Sequence, residues 1–415
     1  MSTPAASTRS IWRGRLTVLA GLVILGLNLR AAVTTVAPML ALIRADMALS
    51  PTTESLIATA PPLMFAAFGA LAPLLGRRWG LERVLAGGMG VAAAATVARA
   101  VTSDEVVFLI TTGLIMAGLG TANVGVPPLI KRYFPDRIGL MTTASTVFLV
   151  LGQAIPPTFA VPLADLLGWR WAVGVWAAGA GLAALPWLIQ PYRLNRRRRL
   201  RGQPKPATAP PQPVKLVRSS LFWGITGLLT CNSAAAYALI GWVPQIVADA
   251  GASQPQAALV LSAFTAGSLV PALLAPALTV RLRHPQIAIV VMFLCWTGGL
   301  LGFALAPLDG IWWWVVLTRL GDGNYACALT LMNLRTRSSQ TLLAVSGFGQ
   351  AIAYVVAAAA TFVFGQLYAS TGGWLWPLVL LMSTMPLGLV GGLVACRRGY
   401  VEDQADRAAL GGRPE

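Results

Sequence analysis

Three charged side chains, Arg30, Arg319 and Asp322, fall inside long apolar stretches of this chain. An arginine cannot shed its proton. Placing one at the centre of a membrane-crossing helix costs roughly 2.5–3.5 kcal/mol on the insertion scale, so such a residue faces a polar cavity or a partner. Around Arg30 the sequence reads GLNLRAAVTTVAP, from Gly26 to Pro38. In a helix begun at Leu16 that guanidinium lies about 22 Å along the axis, too deep to reach the interface. Its planar fork of donors suits small planar acceptors such as a carboxylate, cyanate or a nitro group. Two uses compete: holding an anionic or strongly polar solute at mid-depth, or a structural tie to backbone carbonyls.

Arg319 and Asp322 are three residues apart and share a helix face. They read either as a neutralised pair or as a proton-responsive unit. In the second reading a solute that competes for Arg30 or Arg319 changes how readily Asp322 holds a proton, and so couples proton to cargo. The further polar candidates are Asn28, Asn123, Gln153, Tyr237, Trp242, Asn324 and Gln350, with Asn232 and Ser233 behind them. Each serves as a site residue or as packing glue between helices. Trp242 closes the outer end of a path or merely packs.

These residues sit in a chain of 415 residues that is 56% hydrophobic and 11% charged. Soluble chains carry about 25% charge. The apolar residues come in blocks of roughly 20 or more, long enough to cross a hydrocarbon core of about 30 Å. The sequence is that of an all-α membrane protein, with spans predicted at 16–43, 53–75, 83–101, 105–130, 138–164, 169–190, 219–247, 255–280, 286–306, 311–334, 340–368 and 373–396. The first span is too long for a signal peptide and reads as a retained helix.

The net charge of +17 follows topology rather than nucleic-acid binding. Most of the 31 lysines and arginines lie in the termini and in alternate loops, whereas Arg44, Arg99 and Arg170 fall on the other side. This asymmetry places both termini in the cytoplasm. Tryptophans 169, 171, 312 to 314, 374 and 376 mark the outer interface. The stretch QPYRLNRRRRLRGQPKPATAPPQPVKLVRSS reads as a basic, proline-rich linker beside an anionic leaflet.

The linker divides the chain into a six-helix bundle over 1–190, the linker itself at 191–218, a second bundle over 219–396 and a cytoplasmic tail at 397–415. The halves repeat weakly. Gly152-Gln-Ala-Ile155 returns as Gly349-Gln-Ala-Ile352, Gly168-Trp-Arg-Trp171 as Gly373-Trp-Leu-Trp376, and Leu71-Ala-Pro73 as Leu274-Ala-Pro276. A duplicated six-helix unit around a central path is the plan of a major-facilitator secondary transporter.

Several stretches resemble one branch of that superfamily, the cyanate/2-nitroimidazole porters (CynX/NimT-like). They are LNLRAAVTTVAPML, ATAPPLMFAAFGALAP, GRRWGLERVL, GTANVGVPPLIKRYFPDRIGLMT, GQAIPP, LGWRWA, AYALIGWVPQIVADAG and ALTLMNLRT. The resemblance implies that spans 1, 4, 7 and 10 line the path. It also exposes two departures. Pro73 and Leu74 stand where the superfamily loop after span 2 has an acid and a base, and Asp322 stands where the branch tends to be uncharged.

The expected function is secondary active transport of a small anionic or polar solute across the bacterial inner membrane, by alternating access and on a proton gradient. Efflux of a drug-like polar or aromatic compound is the alternative. No GxxxxGK[ST] stretch is present to supply ATP drive within the chain. His284, the single histidine, lies in a loop, and Cys231, Cys295, Cys327 and Cys396 show no metal spacing. The expected partners are therefore solute, protons and lipid, with no nucleic acid, no cofactor, no enzyme activity and a working monomer.

Overall fold

The computed structural model describes residues 15–47, 49–200 and 216–409. Most of the expected linker, 201–215, lies outside them. The described chain is helical throughout: α1 (Leu16–Thr34), α2 (Val36–Met47), α3 (Pro51–Trp79), α4 (Leu81–Val101), α5 (Glu105–Tyr133), α6 (Ile138–Leu167), α7 (Trp169–Leu200), α8 (Ser220–Asp249), α9 (Gln254–Gly267), α10 (Leu269–Arg281), α11 (Pro285–Leu305), α12 (Ile311–Gly321), α13 (Gly323–Leu334), α14 (Ser339–Thr371), α15 (Leu375–Ala395) and α16 (Val401–Ala409).

Ten stretches among the described residues are long and apolar enough to cross a membrane, and Leu16–Ala32 is a shorter apolar helix. The remaining expected span, 311–334, is split at Asp322. Three spans read as continuous in the sequence are therefore interrupted, at Thr35, Ser268 and Asp322. Two of the breaks have a backbone cause. Pro38 and Pro271 lack the N–H that would reach back to the carbonyls of Thr34 and Gly267. At Asp322, between Gly321 and Gly323, the N–H reaches the carbonyls of Thr318 at 3.2 Å and Arg319 at 3.1 Å, a tightened turn.

Two further boundaries differ from expectation. α7 runs to Leu200, through the start of the basic linker, because leucine and arginine are good helix formers. The tail is not featureless: α16 docks against the bundle with Val401 and Ala405 buried. Its Glu402 accepts from the backbone N–H groups of Arg337 and Ser338, and Gln404 from that of Leu221. These are free donors at the starts of α14 and α8, which a side-chain oxygen satisfies.

Apolar packing forms two main cores. One holds Leu25, Phe65, Leu85, Leu119 and Trp187; the other holds Phe222, Leu239, Trp296, Leu331 and Phe364. Small residues bring backbones together within each. A Cβ on Gly118 would lie 2.2 Å from the Gly88 carbonyl oxygen, so α4 and α5 cross nearly in backbone contact.

The two cores meet at the end of the bundle that carries the basic loops. A Cβ on Gly76 would lie 2.6 Å from Leu343 Cδ2, and one on Gly347 would lie 2.6 Å from Pro73 Cγ. Here Pro73 closes the α3–α14 contact by packing. Gly139 meets Val280 at the same end. Lys131 Nζ of α5 donates to the Asn333 carbonyl at 2.7 Å and to the Thr336 carbonyl, across the seam at the end of α13. A cation at a helix C-terminus complements its dipole.

Candidate functional site

A partly open cavity of about 220 Å³ lies between the cores at mid-depth. The interrupted helices face it: Thr34 ends α1, Ser268 precedes α10 and Asp322 joins α12 to α13, and all three line the space. Broken helices are tolerated in a membrane where they border such a cavity.

Arg30 lines the cavity from one side. Its Nη1 donates to the Tyr237 hydroxyl at 2.7 Å, a bond that joins α1 to α8. Its guanidinium carbon lies 5.5 Å from the Phe65 ring and 5.9 Å from the Tyr237 ring. Ring faces attract cations at these distances. Nε of Arg30 is buried with no partner among the described residues. The cation is therefore positioned by aromatic groups, and none of the ion pairs among the described residues gives it a carboxylate.

Arg319 and Asp322 line the same cavity. The Arg319 side chain is 3% exposed and Asp322 is 20% exposed, with Nη1 to Oδ2 at 3.4 Å. Arg319 also donates to Ser268 Oγ at 3.1 Å and sits 3.5 Å from the Phe264 ring centroid. Asp322 Oδ1 accepts from Asn232 Nδ2 at 3.0 Å, and Asn232 Oδ1 accepts from Trp296 Nε1 at 3.1 Å. The pair is held by a chain of hydrogen bonds running back into the core, while its carboxylate keeps one edge on the cavity.

The other sequence candidates separate. Gln153 and Tyr237 line the cavity with the charged residues. Asn123 and Gln350 do not. Asn123 Nδ2 donates to Gln350 Oε1 at 2.7 Å and to the Tyr354 hydroxyl at 3.1 Å, and Gln350 Nε2 donates to Ser346 Oγ at 2.7 Å. This closed network borders a separate small space with Gly26 and Leu329. Asn123 and Gln350 bond to each other across the seam and do not line the larger cavity.

Asn28 donates to the Ile24 carbonyl at 2.8 Å and faces Gly179 of α7, away from the cavity. Trp242 packs within an aromatic group: 5.7 Å from Trp374 and 6.4 Å from both Phe364 and Tyr368. Asp249 anchors that group, accepting from Tyr368 at 2.6 Å and Trp374 at 3.0 Å. Asn324 is fully buried, lines neither space, and its amide has no partner among the described residues.

Sequence reasoning missed Phe65, Tyr325 and Tyr354 at the site. Their apolar bulk disguised them as core. Arg99, read as an outer-side charge, is not exposed there. Arg99 is 1% exposed and turns inward to 5.9 Å from the Phe108 ring, because the last turn of α4 points it into the bundle.

A model described as Major Facilitator Superfamily matches residues 22–360. The uncharacterized transporter YycB of Bacillus subtilis is 30% identical over 390 residues, 92% of this chain and 94% of that protein. The 2-nitroimidazole transporter of Escherichia coli is 30% identical over 394 residues, covering 94% and 98%. The cyanate transport protein CynX of Escherichia coli is 26% identical over 360 residues, covering 85% and 90%. Among solved structures, FucP in its outward conformation superposes with a TM-score of 0.70 at 14% identity, over 93% of this chain and all of that one. The chain belongs to the Major Facilitator Superfamily, in its CynX/NimT-like branch, and is an integral membrane transporter of a small solute rather than an enzyme.

Proposed function

We propose that the chain moves a small anionic or polar solute across the bacterial inner membrane by alternating access, driven by a proton gradient. The bundles over 1–190 and 219–396 rock about the central cavity, with both termini in the cytoplasm and a monomer as the working unit. The observation that carries this reading is Arg30: an obligate cation deep in an apolar helix, on a cavity, aligned by Tyr237 and Phe65, and without a carboxylate ion-pair partner among the described residues. A desolvated charge of that kind calls for a solute to balance it.

Asp322 is the proton-responsive group in this reading. It is the carboxylate on the cavity, and it shares Arg319 with any anion that enters. An anion that draws on Arg30 or Arg319 changes how readily Asp322 holds a proton, and this link couples proton to solute. The end with the basic loops, held by Lys131 and by Pro73 on Gly347, is the closed end of an outward-facing state.

The test is counterflow in proteoliposomes holding only this chain, with cyanate, 2-nitroimidazole and small carboxylates, with and without a pH gradient. Arg30→Gln is expected to abolish exchange at equal abundance. Asp322→Asn is expected to exchange solute yet fail to concentrate it on a proton gradient. Normal transport by Arg30→Gln would refute the anion site, and gradient-driven accumulation by Asp322→Asn would refute the coupling.

A further inference from the structure

We infer that the preferred solute is an aromatic monoanion, a flat ring bearing one carboxylate, rather than a three-atom anion or a dianion. The inference rests on the transport reading above and deepens it. Charge, shape and volume of the cavity each point the same way.

The charged residues that line the cavity are Arg30, Arg319 and Asp322. Asp322 offsets Arg319 internally at 3.4 Å, which leaves one positive charge to balance. A solute with one negative charge neutralises the site. A dianion leaves an excess negative charge in a poorly solvated space beside Asp322, and a neutral ring leaves Arg30 unbalanced.

The head-group end is defined. Nη1 of Arg30 is committed to Tyr237, while Nε is buried without a partner among the described residues. The Tyr237 hydroxyl, having accepted from Arg30, still holds a proton to donate. A guanidinium with an unpaired N–H beside a tyrosine O–H is a donor set that suits a carboxylate.

The rest of the wall suits a ring. Tyr237 and Tyr354 line the cavity as an edge-to-face pair at 6.0 Å, with Phe65 packed edge-on behind Tyr354 at 5.7 Å. Aromatic edges of this kind accept a further ring in the same geometry. Leu149, Val150, Ile240 and Pro271 complete an apolar lining.

Size favours a ring over the smallest anions. An apolar cavity of about 150 Å³ holds a benzene, and one water's share of liquid volume is about 30 Å³. The cavity here is about 220 Å³. A benzene-sized ring with a carboxylate occupies such a space. A three-atom anion would touch Arg30 and leave the apolar wall facing water.

The experiment is counterflow of labelled benzoate into proteoliposomes, challenged by four unlabelled probes that separate the arguments: acetate (charge without ring), cyanate (three atoms), phthalate (ring with two charges) and benzyl alcohol (ring without charge). Benzoate is expected to exchange, and each probe to compete at least tenfold more weakly than unlabelled benzoate. Tyr237→Phe is expected to weaken benzoate severalfold while leaving the melting temperature of the purified protein within a few degrees. Cyanate or acetate exchanging as well as benzoate would overturn the ring and leave the transport reading standing. Phthalate matching benzoate would overturn the charge count alone. Failure of every anion to exchange would overturn the transport reading, and this inference with it.

Discussion

The pair Arg319–Asp322 allows a quantitative test that needs no substrate. The guanidinium is 3% exposed and the carboxylate 20% exposed, 3.4 Å apart. At an effective dielectric of about 20, two unit charges at that separation attract by on the order of 5 kcal/mol. Removing the two partners is not symmetrical. Asp322→Asn leaves the buried cation with Ser268 and ring faces for company, and stranding one member of a buried pair costs about 3–5 kcal/mol. The retained amide oxygen, which can still accept from Asn232, places this variant near the lower figure of about 3 kcal/mol. Arg319→Gln leaves a carboxylate that still accepts from Asn232 and borders the cavity, so its loss is about 1–2 kcal/mol. The double variant has no stranded charge, and the coupling between the two sites is roughly 2 kcal/mol. The assay is equilibrium unfolding in mixed detergent micelles on all four proteins of the cycle. Additivity within about 0.5 kcal/mol would mean that the two groups do not interact, and the coupling mechanism built on their pairing would fall.

Three other outcomes follow from particular contacts. Lys131→Met removes the bonds to Asn333 and Thr336 that close the basic-loop end; spin labels at Leu140 and Leu282, both exposed and beside the Gly139–Val280 contact, are expected to show an added long-distance population, and an unchanged distribution would deny Lys131 a latch role. Gly152 and Gly349 are repeat-related, yet a Cβ on Gly152 would lie 2.1 Å from the Leu27 carbonyl oxygen, whereas one on Gly349 meets Thr226 Oγ1 at 3.1 Å; Gly152→Ala is expected to cost at least about 1 kcal/mol more than Gly349→Ala by unfolding, within the usual overpacking range of about 1–3 kcal/mol. Asp136, in the loop after α5, is held below the ordinary carboxylate range by hydrogen bonding at its own backbone and then by the Arg15 side chain at 2.8 Å. A depressed native value means that its stabilisation is present above the unfolded value of about 3.9 and disappears as pH falls through the lower native one. The melting temperatures of the parent and Asp136→Asn are therefore expected to differ at pH 6 and to converge below about pH 4, and a gap that persists under acid would contradict the assignment.

Most of the architecture was legible because a membrane imposes long apolar blocks and sorts basic loops to one side, and both survive in the sequence without any tertiary knowledge. Arg30, Arg319 and Asp322 stood out for the same reason: charge in an apolar block is too costly to be accidental. What stayed hidden depends on which way a side chain turns. Asn123 and Gln350 look like ligands one at a time, but they satisfy each other across the seam, a pairing 227 residues apart in sequence. Tyr354 looks like core and also lines the cavity, and Phe65 looks like core and also lies 5.5 Å from the Arg30 guanidinium. The break at Asp322 carried no proline to announce it, unlike those near Thr35 and Ser268. The docking of α16 rests on Glu402 and Gln404 finding free helix N-termini, which no periodicity foretells.

Substituted-cysteine labelling at Arg30 reaches the central claim most directly. In a background with Cys231, Cys295, Cys327 and Cys396 replaced, Arg30→Cys is expected to react with a membrane-impermeant, anionic thiosulfonate within minutes. A thiol at position 30 that stays unmodified, while one at the cavity residue Gln153 reacts, would mean that the guanidinium is walled off from solute, and the account would be wrong.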